Sequence, residues 1–135
     1  MPAFARIVVG LLVLLHLVIF VFEAMLWLSP AVYALALPKL NPGLEHPLAQ
    51  QAQVLRALFI NQGTYNLLVA AGAALGLILV GRQRREAGLA LIRFTATIAM
   101  CAGIVLAMST VAYGLATAQA AVGSLTLVAF RPRTR

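Results

Sequence analysis

Residues 7–28 read IVVGLLVLLHLVIFVFEAMLWL, a run of 22 residues that is apolar apart from His16 and Glu23. At 1.5 Å rise per residue, about 20 apolar residues in a helix are enough to cross the hydrocarbon core of a bilayer. The run therefore predicts a first transmembrane helix. A carboxylate inside such a helix costs at least ~2.5 kcal/mol on insertion scales. We therefore expect Glu23 to face protein or trapped water, which makes it the first candidate for chemistry.

The composition of the whole chain is typical of an integral membrane protein. Of its 135 residues 63% are hydrophobic and 10% are charged, and the mean hydropathy is +1.00. Residues 88–130 form one apolar tract interrupted only by Arg93, too long for one span, so a turn is expected near Ser109–Gly114. Gly72 and Gly76, and Ala99, Gly103 and Ala107, are expected to allow close helix packing. The sequence predicts one all-α domain over residues 1–135, a four-helix transmembrane bundle with spans at 7–28, 57–80, 88–108 and 112–130.

The net charge of +7 is explained by topology rather than by nucleic-acid binding. Only Lys39 and Arg56 lie between the first two spans, whereas seven cations fall on the other side: Arg6, Arg82, Arg84, Arg85, Arg131, Arg133 and Arg135. The positive-inside rule then predicts that both termini are cytoplasmic. The expected location of this multi-pass protein is the bacterial inner membrane. Residues 29–56 form a long outer loop with four prolines that exclude a long regular helix. The tail of this loop is expected to be a short interfacial helix leading into the second span.

Polar residues of three spans are expected at one depth. The first helix runs outward, which puts His16 near the bilayer centre, Glu23 in the outer half and Trp27 at the outer interface. The second helix runs inward, so its opening segment FINQGTYNLL, residues 59–68, lies at the level of Glu23. Each unpaired buried polar group costs roughly 1–3 kcal/mol. These side chains are therefore expected to converge on one polar pocket: Glu23, Asn61, Gln62, Tyr65, Asn66 and, from the last helix, Tyr113 and Gln119.

Roles within this predicted pocket follow from the chemistry of the side chains. Glu23, His16 and Tyr65 are the candidate catalytic groups, and the candidate substrate-binding residues are Trp27, Asn61, Gln62, Asn66, Tyr113 and Gln119. The alternative is that the amides and Tyr65 only join helices, at about 0.6 kcal/mol per contact in membranes. His16 fits either interpretation. For Glu23 the functional interpretation is favoured, because glutamine would offer similar hydrogen bonds without the charge penalty.

Two segments carry a family resemblance: HLVIFVFEAMLWLSP, with His16, Glu23 and Trp27, and FINQGTYNLLVAAGAALG in the second span. With these motifs, and with Tyr113-Gly114 and Gln119, the chain resembles family 1304 of domains of unknown function. These are small membrane proteins marked by an Asn-Gln-Gly-x-Tyr-Asn block. The chain departs from the family pattern after Gln119, where AAVGSLTLVAF lacks an expected proline, and in its longer first loop. The resemblance implies a four-helix fold and names no reaction.

Three classes of function remain open from the sequence. In the first, a membrane enzyme acts on a small lipophilic substrate by isomerisation, cyclisation or epoxide opening, with Glu23 as acid or base. The second is a proton-coupled exporter, because small multidrug resistance transporters share this length, four helices and a glutamate in helix one. Those transporters assemble with opposed orientations, however, and therefore need nearly equal numbers of cations on the two sides of the membrane. In this chain seven cations lie on one side and two on the other. The third is an accessory subunit of a membrane complex.

The sequence favours the enzyme, since a single orientation argues against the exporter and a buried carboxylate argues against a purely structural role. The expected partners are the lipid bilayer and a small lipophilic ligand, with no nucleic acid. Self-association into a homo-oligomer is left open. Because no metal-ligand cluster or nucleotide-binding glycine loop appears in the sequence, we predict neither a metal nor a cofactor.

Overall fold

The computed structural model describes residues 2–131, which form five α-helices. Helix α1 is continued by one π-helical turn at Val21–Met25. The bounds are α1 Ala3–Phe20, α2 Pro30–Leu40, α3 Leu48–Gly81, α4 Arg85–Ser109 and α5 Tyr113–Ala129. The predicted all-α class is confirmed. Two of the cations counted above, Arg133 and Arg135, lie outside the described residues.

Three of the helical segments are long and apolar enough to cross a membrane: Ala3–Met25, Leu48–Gly81 and Arg85–Ser109. Helix α5, which covers most of the predicted fourth span, is apolar but has only 17 residues. Its length of about 26 Å is slightly below the ~30 Å of a hydrocarbon core. The turn between α4 and α5 falls at residues 110–112, where the N–H of Ala112 donates to Thr110 Oγ1 at 3.1 Å.

The segment between the first two long helices differs from the expected loop. It contains α2, which begins at Pro30, where a missing N–H is tolerated, and ends two residues after Pro38. The predicted short helix before residue 57 is not separate, because α3 runs without a break from Leu48. Pro47 is the N-cap of α3, and no proline follows it to interrupt the helix. Helix α3 is therefore roughly 51 Å long at ~1.5 Å per residue.

The four helices α1, α3, α4 and α5 pack in a ring. Helices α1 and α4 each contact both α3 and α5, and they barely contact each other. Small residues allow the closest approaches, since a methyl group on Gly103 would meet the backbone of Ala116 and Ala120 in α5. At the far end of α5, Arg93 of α4 donates from Nε to the carbonyl of Phe130 at 2.8 Å. A cation at a helix C-terminus is a favourable arrangement.

Helix α2 lies outside this ring and is held to it at both ends. Val32 and Leu37 pack with Trp27 and Ala52 in a small apolar cluster against the start of α3. At the other end of α2, the carbonyl of Lys39 accepts a hydrogen bond from the N–H of Val111 at 3.0 Å. Helix α2 thus bridges from the start of α3 to the turn before α5, across the end of the ring that holds Glu23.

Candidate functional site

Glu23 lies in the π-helical turn that ends the first helix. The turn closes with a hydrogen bond from the N–H of Leu26 to the carbonyl of Val21, five residues earlier, at 2.9 Å. One extra residue in a helical turn changes the direction of the side chains that follow, and such turns are frequent at functional sites. The carboxyl side chain of Glu23 is half-buried.

The π turn packs directly against α3 at Gly63. A methyl group built on Gly63 would lie 2.8 Å from both the Cβ and the backbone N of Ala24, and 3.2 Å from the Cβ of Glu23. Only a residue without a side chain allows α3 to pass this close. Gly63 is not among the site residues that the sequence predicts. Its place between Gln62 and Thr64, inside the Asn-Gln-Gly-x-Tyr-Asn block, is the sequence signal that points to this position.

Asn66 is the direct partner of Glu23. Its Nδ2 donates to Oε2 of Glu23 at 3.0 Å and to the carbonyl of Gln62, one turn earlier in α3, at 3.1 Å. A side-chain amide nitrogen carries two hydrogens, so both bonds form at once. The bond to α3's own backbone fixes the orientation of the amide, and the amide in turn fixes the orientation of the carboxyl group.

Glu23 and Asn66 lie in the wall of a cavity of about 750 Å³, hereafter the polar cavity, which is bounded by α1, α3, α4 and α5. The other predicted site residues that line it are His16, Gln62, Tyr65 and Gln119. Most of the remaining wall is apolar. Leu68, Phe94 and Val105 line the cavity and are also exposed on the outside of the protein. The polar cavity therefore opens sideways, between α3 and α4.

His16 is only 1% exposed and is held by its own helix. Its Nδ1 lies 2.8 Å from the carbonyl oxygen of Leu12. A carbonyl can only accept, so the proton of the neutral ring is on Nδ1 and the lone pair is on Nε2. His16 therefore brings a potential proton acceptor to the same cavity as Glu23.

A second cavity, of about 430 Å³, also has Glu23 in its wall and is hereafter the apolar cavity. It is bounded by α1, α2, Trp27 and the start of α5, and two predicted site residues, Trp27 and Tyr113, line it. Four residues line both cavities and form the partition between them: Ile19, Glu23, Leu40 and Leu115. The residues predicted to share one pocket are thus divided between two cavities, and Glu23 lines both. Asn61 is exposed and lines neither cavity.

Trp27 has a structural role as well as a place in the cavity wall. It is 3% exposed, its Nε1 donates to the carbonyl of Ala52 at 2.9 Å, and its ring stacks on Phe59 with 3.5 Å between centroids. These contacts attach the end of the first helix to the start of α3. The indole N–H is consequently used within the protein, and the apolar part of the ring is what faces the cavity.

The sequence model of the family described as Protein of unknown function (DUF1304) matches residues 10–131. The chain belongs to this family. The matched part of this DUF1304 chain includes every residue from His16 to Gln119 that lines the two cavities. Neither the curated proteins nor the solved structures gave a match.

The part of this DUF1304 protein that the structure describes shows no cluster of metal-ligating side chains. Within residues 2–131, no three His, Cys, Asp or Glu side chains lie together in a way that could hold a metal ion. Glu23 is thus one carboxyl group with an amide partner, and a buried imidazole, that of His16, lines the same cavity. Proton transfer and hydrogen bonding are the chemistry that these side chains can supply themselves.

Proposed function

We propose that this DUF1304 chain is an integral protein of the bacterial inner membrane that crosses it four times, with both termini in the cytoplasm. The three long apolar segments and the packing of α5 into the same ring support this proposal. The distribution of arginines supports the orientation. In this orientation α2 and the first turns of α3 lie at the outer face, and Glu23 lies in the outer half of the bilayer.

We further propose that the polar cavity binds a small lipophilic substrate, which enters from the bilayer between α3 and α4. The volume of the cavity falls within the ~300–1,000 Å³ that is usual for ligand sites. Exposed apolar residues at the opening suit a substrate that arrives from lipid. The observation that carries the proposal is the carboxyl group of Glu23, held by Asn66 in a largely apolar wall.

The reaction that suits these groups is acid/base catalysis on the bound substrate. Glu23 gives or takes the proton at the reacting atom, and Nε2 of His16 is the second proton acceptor. The hydroxyl of Tyr65 and the amides of Gln62 and Gln119 line the same cavity and would polarise a substrate oxygen. Isomerisation and cyclisation move one proton from one substrate atom to another and need no further reactant. Epoxide opening does so when a hydroxyl of the substrate itself attacks the epoxide carbon, and it otherwise takes water as the nucleophile. A positioned acid or base typically contributes about 10²–10⁴-fold in rate.

The experiment is a search for the compound that requires Glu23. Lipophilic metabolites of a strain lacking the gene are compared with those of strains carrying the wild-type, Glu23→Gln or Glu45→Gln protein. Glu45 is an exposed carboxylate outside both cavities, so its variant is the matched control. We expect one compound to accumulate in the deletion and Glu23→Gln strains only, and purified wild-type protein in nanodiscs to convert it. Full complementation by Glu23→Gln would exclude acid/base catalysis by this residue.

A second candidate, proton-coupled export, is favoured by one observation: Glu23 lines both cavities. A carboxyl group between two compartments could exchange a proton with one and a substrate with the other. The test is flux of a lipophilic cation into proteoliposomes under a pH gradient. A transporter would lose this flux in Glu23→Gln, and equal flux in both proteins would exclude the export function.

A further inference from the structure

The apolar cavity has two charged residues in its wall, and they differ in position. Glu23 is half-buried in the partition, whereas Lys39, near the end of α2, is exposed. The lysine therefore stands at the rim of the cavity. The rest of the wall is almost entirely aliphatic or aromatic, with Val18, Phe22 and Leu35 among its members.

The rim is a fixed part of the fold. The carbonyl of Lys39 is bonded to the N–H of Val111 at 3.0 Å, so this end of α2 is attached to the turn that leads into α5. On the opposite side Trp27 is held by Ala52 and Phe59. The backbone that carries the ammonium group thus stays beside the mouth of the cavity.

The charge of the chain favours an external anion at this position. The chain has ten basic and only three acidic residues, and Lys39 is its single lysine. The nine other cations are arginines, the residue that pairs with phosphate through two parallel hydrogen bonds. A lone ammonium group instead matches a head group with one negative charge. A second negative charge would also be disfavoured by Glu23 in the same wall.

We propose that the apolar cavity binds a single-chain amphiphile with a monoanionic head, a fatty-acid carboxylate, with the head at Lys39 and the chain inside the cavity. This site is separate from the substrate site of the polar cavity and does not depend on the reaction proposed there. In a bilayer the chain gains little by leaving lipid, which is as apolar as the cavity. The head group must therefore supply most of the selectivity.

The chain contains its own reporter for this site. Trp27 is the only tryptophan, and it lines the apolar cavity. Energy transfer from Trp27 to the polyene parinaric acid reports occupancy once the transfer to probe dissolved in the bilayer is subtracted, and empty nanodiscs and a Trp27→Phe protein give that background. We would use protein in nanodiscs of phosphatidylcholine alone, so that no anionic lipid competes, and compare parinaric acid with its uncharged methyl ester.

Two variants and one control complete the test. Lys39→Gln removes the charge at an exposed position, Ala36→Phe fills the cavity, and Arg56→Gln removes an exposed cation outside it. We expect the wild-type protein to bind the acid more tightly than the ester. Lys39→Gln should weaken binding of the acid about fivefold without affecting the ester, as for an ion pair of ~1 kcal/mol. Ala36→Phe should remove the saturable transfer above this background for both probes, and Arg56→Gln should match the wild type.

Two results would overturn the proposal. Equal affinity for acid and ester, or an unchanged affinity for the acid in Lys39→Gln, would show that Lys39 does not bind the head group. Undiminished transfer in Ala36→Phe would show that the probe binds elsewhere. The Lys39→Gln variant at an exposed position keeps the first comparison valid even if Ala36→Phe does not fold. Glu23→Gln, the variant that tests the reaction, is not used here, so the two proposals fail separately.

Discussion

The amide nitrogen of Asn66 lies 3.0 Å from a carboxyl oxygen of Glu23, although the two residues are 43 positions apart in the chain. This bond joins the π-helical turn of the first helix to α3, beside the glycine that lets the two elements approach. It is also the contact on which the proposed chemistry depends, because it orients the only carboxyl group that residues 2–131 place in the wall of either cavity.

Replacing Asn66 by leucine should destabilise the protein. The substitution leaves the half-buried carboxyl group without its donor, which typically costs about 1–3 kcal/mol. The measurement is the midpoint of thermal unfolding in detergent, followed by circular dichroism. Asn61→Leu is the matched control, since Asn61 is an exposed amide in the same helix and lines neither cavity. Equal midpoints for the two variants would contradict a stabilising role for the Glu23 contact.

Adding a methyl group at Gly63 should also destabilise the protein, because it would lie 2.8 Å from Ala24. Overpacking of this kind costs about 1–3 kcal/mol. Gly10→Ala is the control, as nothing lies within 4 Å of the position of its methyl group, and alanine in a helix is favoured over glycine by roughly 0.5–1 kcal/mol. We expect the two substitutions to change the unfolding midpoint in opposite directions.

A double-mutant cycle tests whether the loss of stability in Gly63→Ala comes from the contact with Ala24. Ala24→Gly removes one of the two closest atoms, so the double variant should regain part of the stability lost in Gly63→Ala. If the two substitutions are simply additive, the clash lies elsewhere.

Trp27→Phe should cost about 0.5–1.5 kcal/mol, because the hydrogen bond to the carbonyl of Ala52 is lost while an aromatic ring remains to stack on Phe59. Phe59→Leu should cost a similar amount through the loss of stacking. Both are measured by chemical unfolding. An unchanged stability in Trp27→Phe would mean that the indole nitrogen bonds equally well to another group.

The proposed orientation predicts which single cysteines are labelled in intact cells. In a Cys101→Ser background, Ser109→Cys, at the exposed end of α4, should react with a membrane-impermeant thiol reagent added outside. Arg82→Cys, in the exposed turn between α3 and α4, should react only after the cells are opened. The reverse pattern would invert the topology and place α2 in the cytoplasm.

The parts of the fold that the sequence predicts are those set by local composition. Long apolar runs identify α1, α3 and α4, and the cluster of Ser, Thr, Tyr and Gly after Met108 indicates the turn before α5. The family resemblance drawn from the block at residues 61–66 is confirmed by the family match. Gly103 packs closely against α5, as expected, whereas Ala107 is exposed. A small residue permits a close approach of two helices, but its size does not determine whether it faces the neighbouring helix.

The features that sequence reasoning missed depend on contacts between distant segments. The π turn at Val21–Met25 cannot be recognised from composition, and α-helical spacing no longer describes the residues that follow it. The sequence does not predict helix α2, because prolines argue against a long regular helix. Two of these prolines nevertheless belong to α2, Pro30 in its first turn and Pro38 near its end. The partition that divides the expected pocket combines residues from α1, α2 and α5, and only their packing brings these together.

The partition between the polar and apolar cavities also makes the occupants of the two cavities interdependent. Ile19, Glu23, Leu40 and Leu115 each have one cavity on either side, so an occupant that shifts any of these side chains alters the shape available to the other occupant. Thermodynamic linkage requires that such an influence be reciprocal: whatever a fatty acid does to substrate affinity, the substrate does equally to the affinity for the fatty acid. The amount of free fatty acid in the membrane would then act as an effector of this protein.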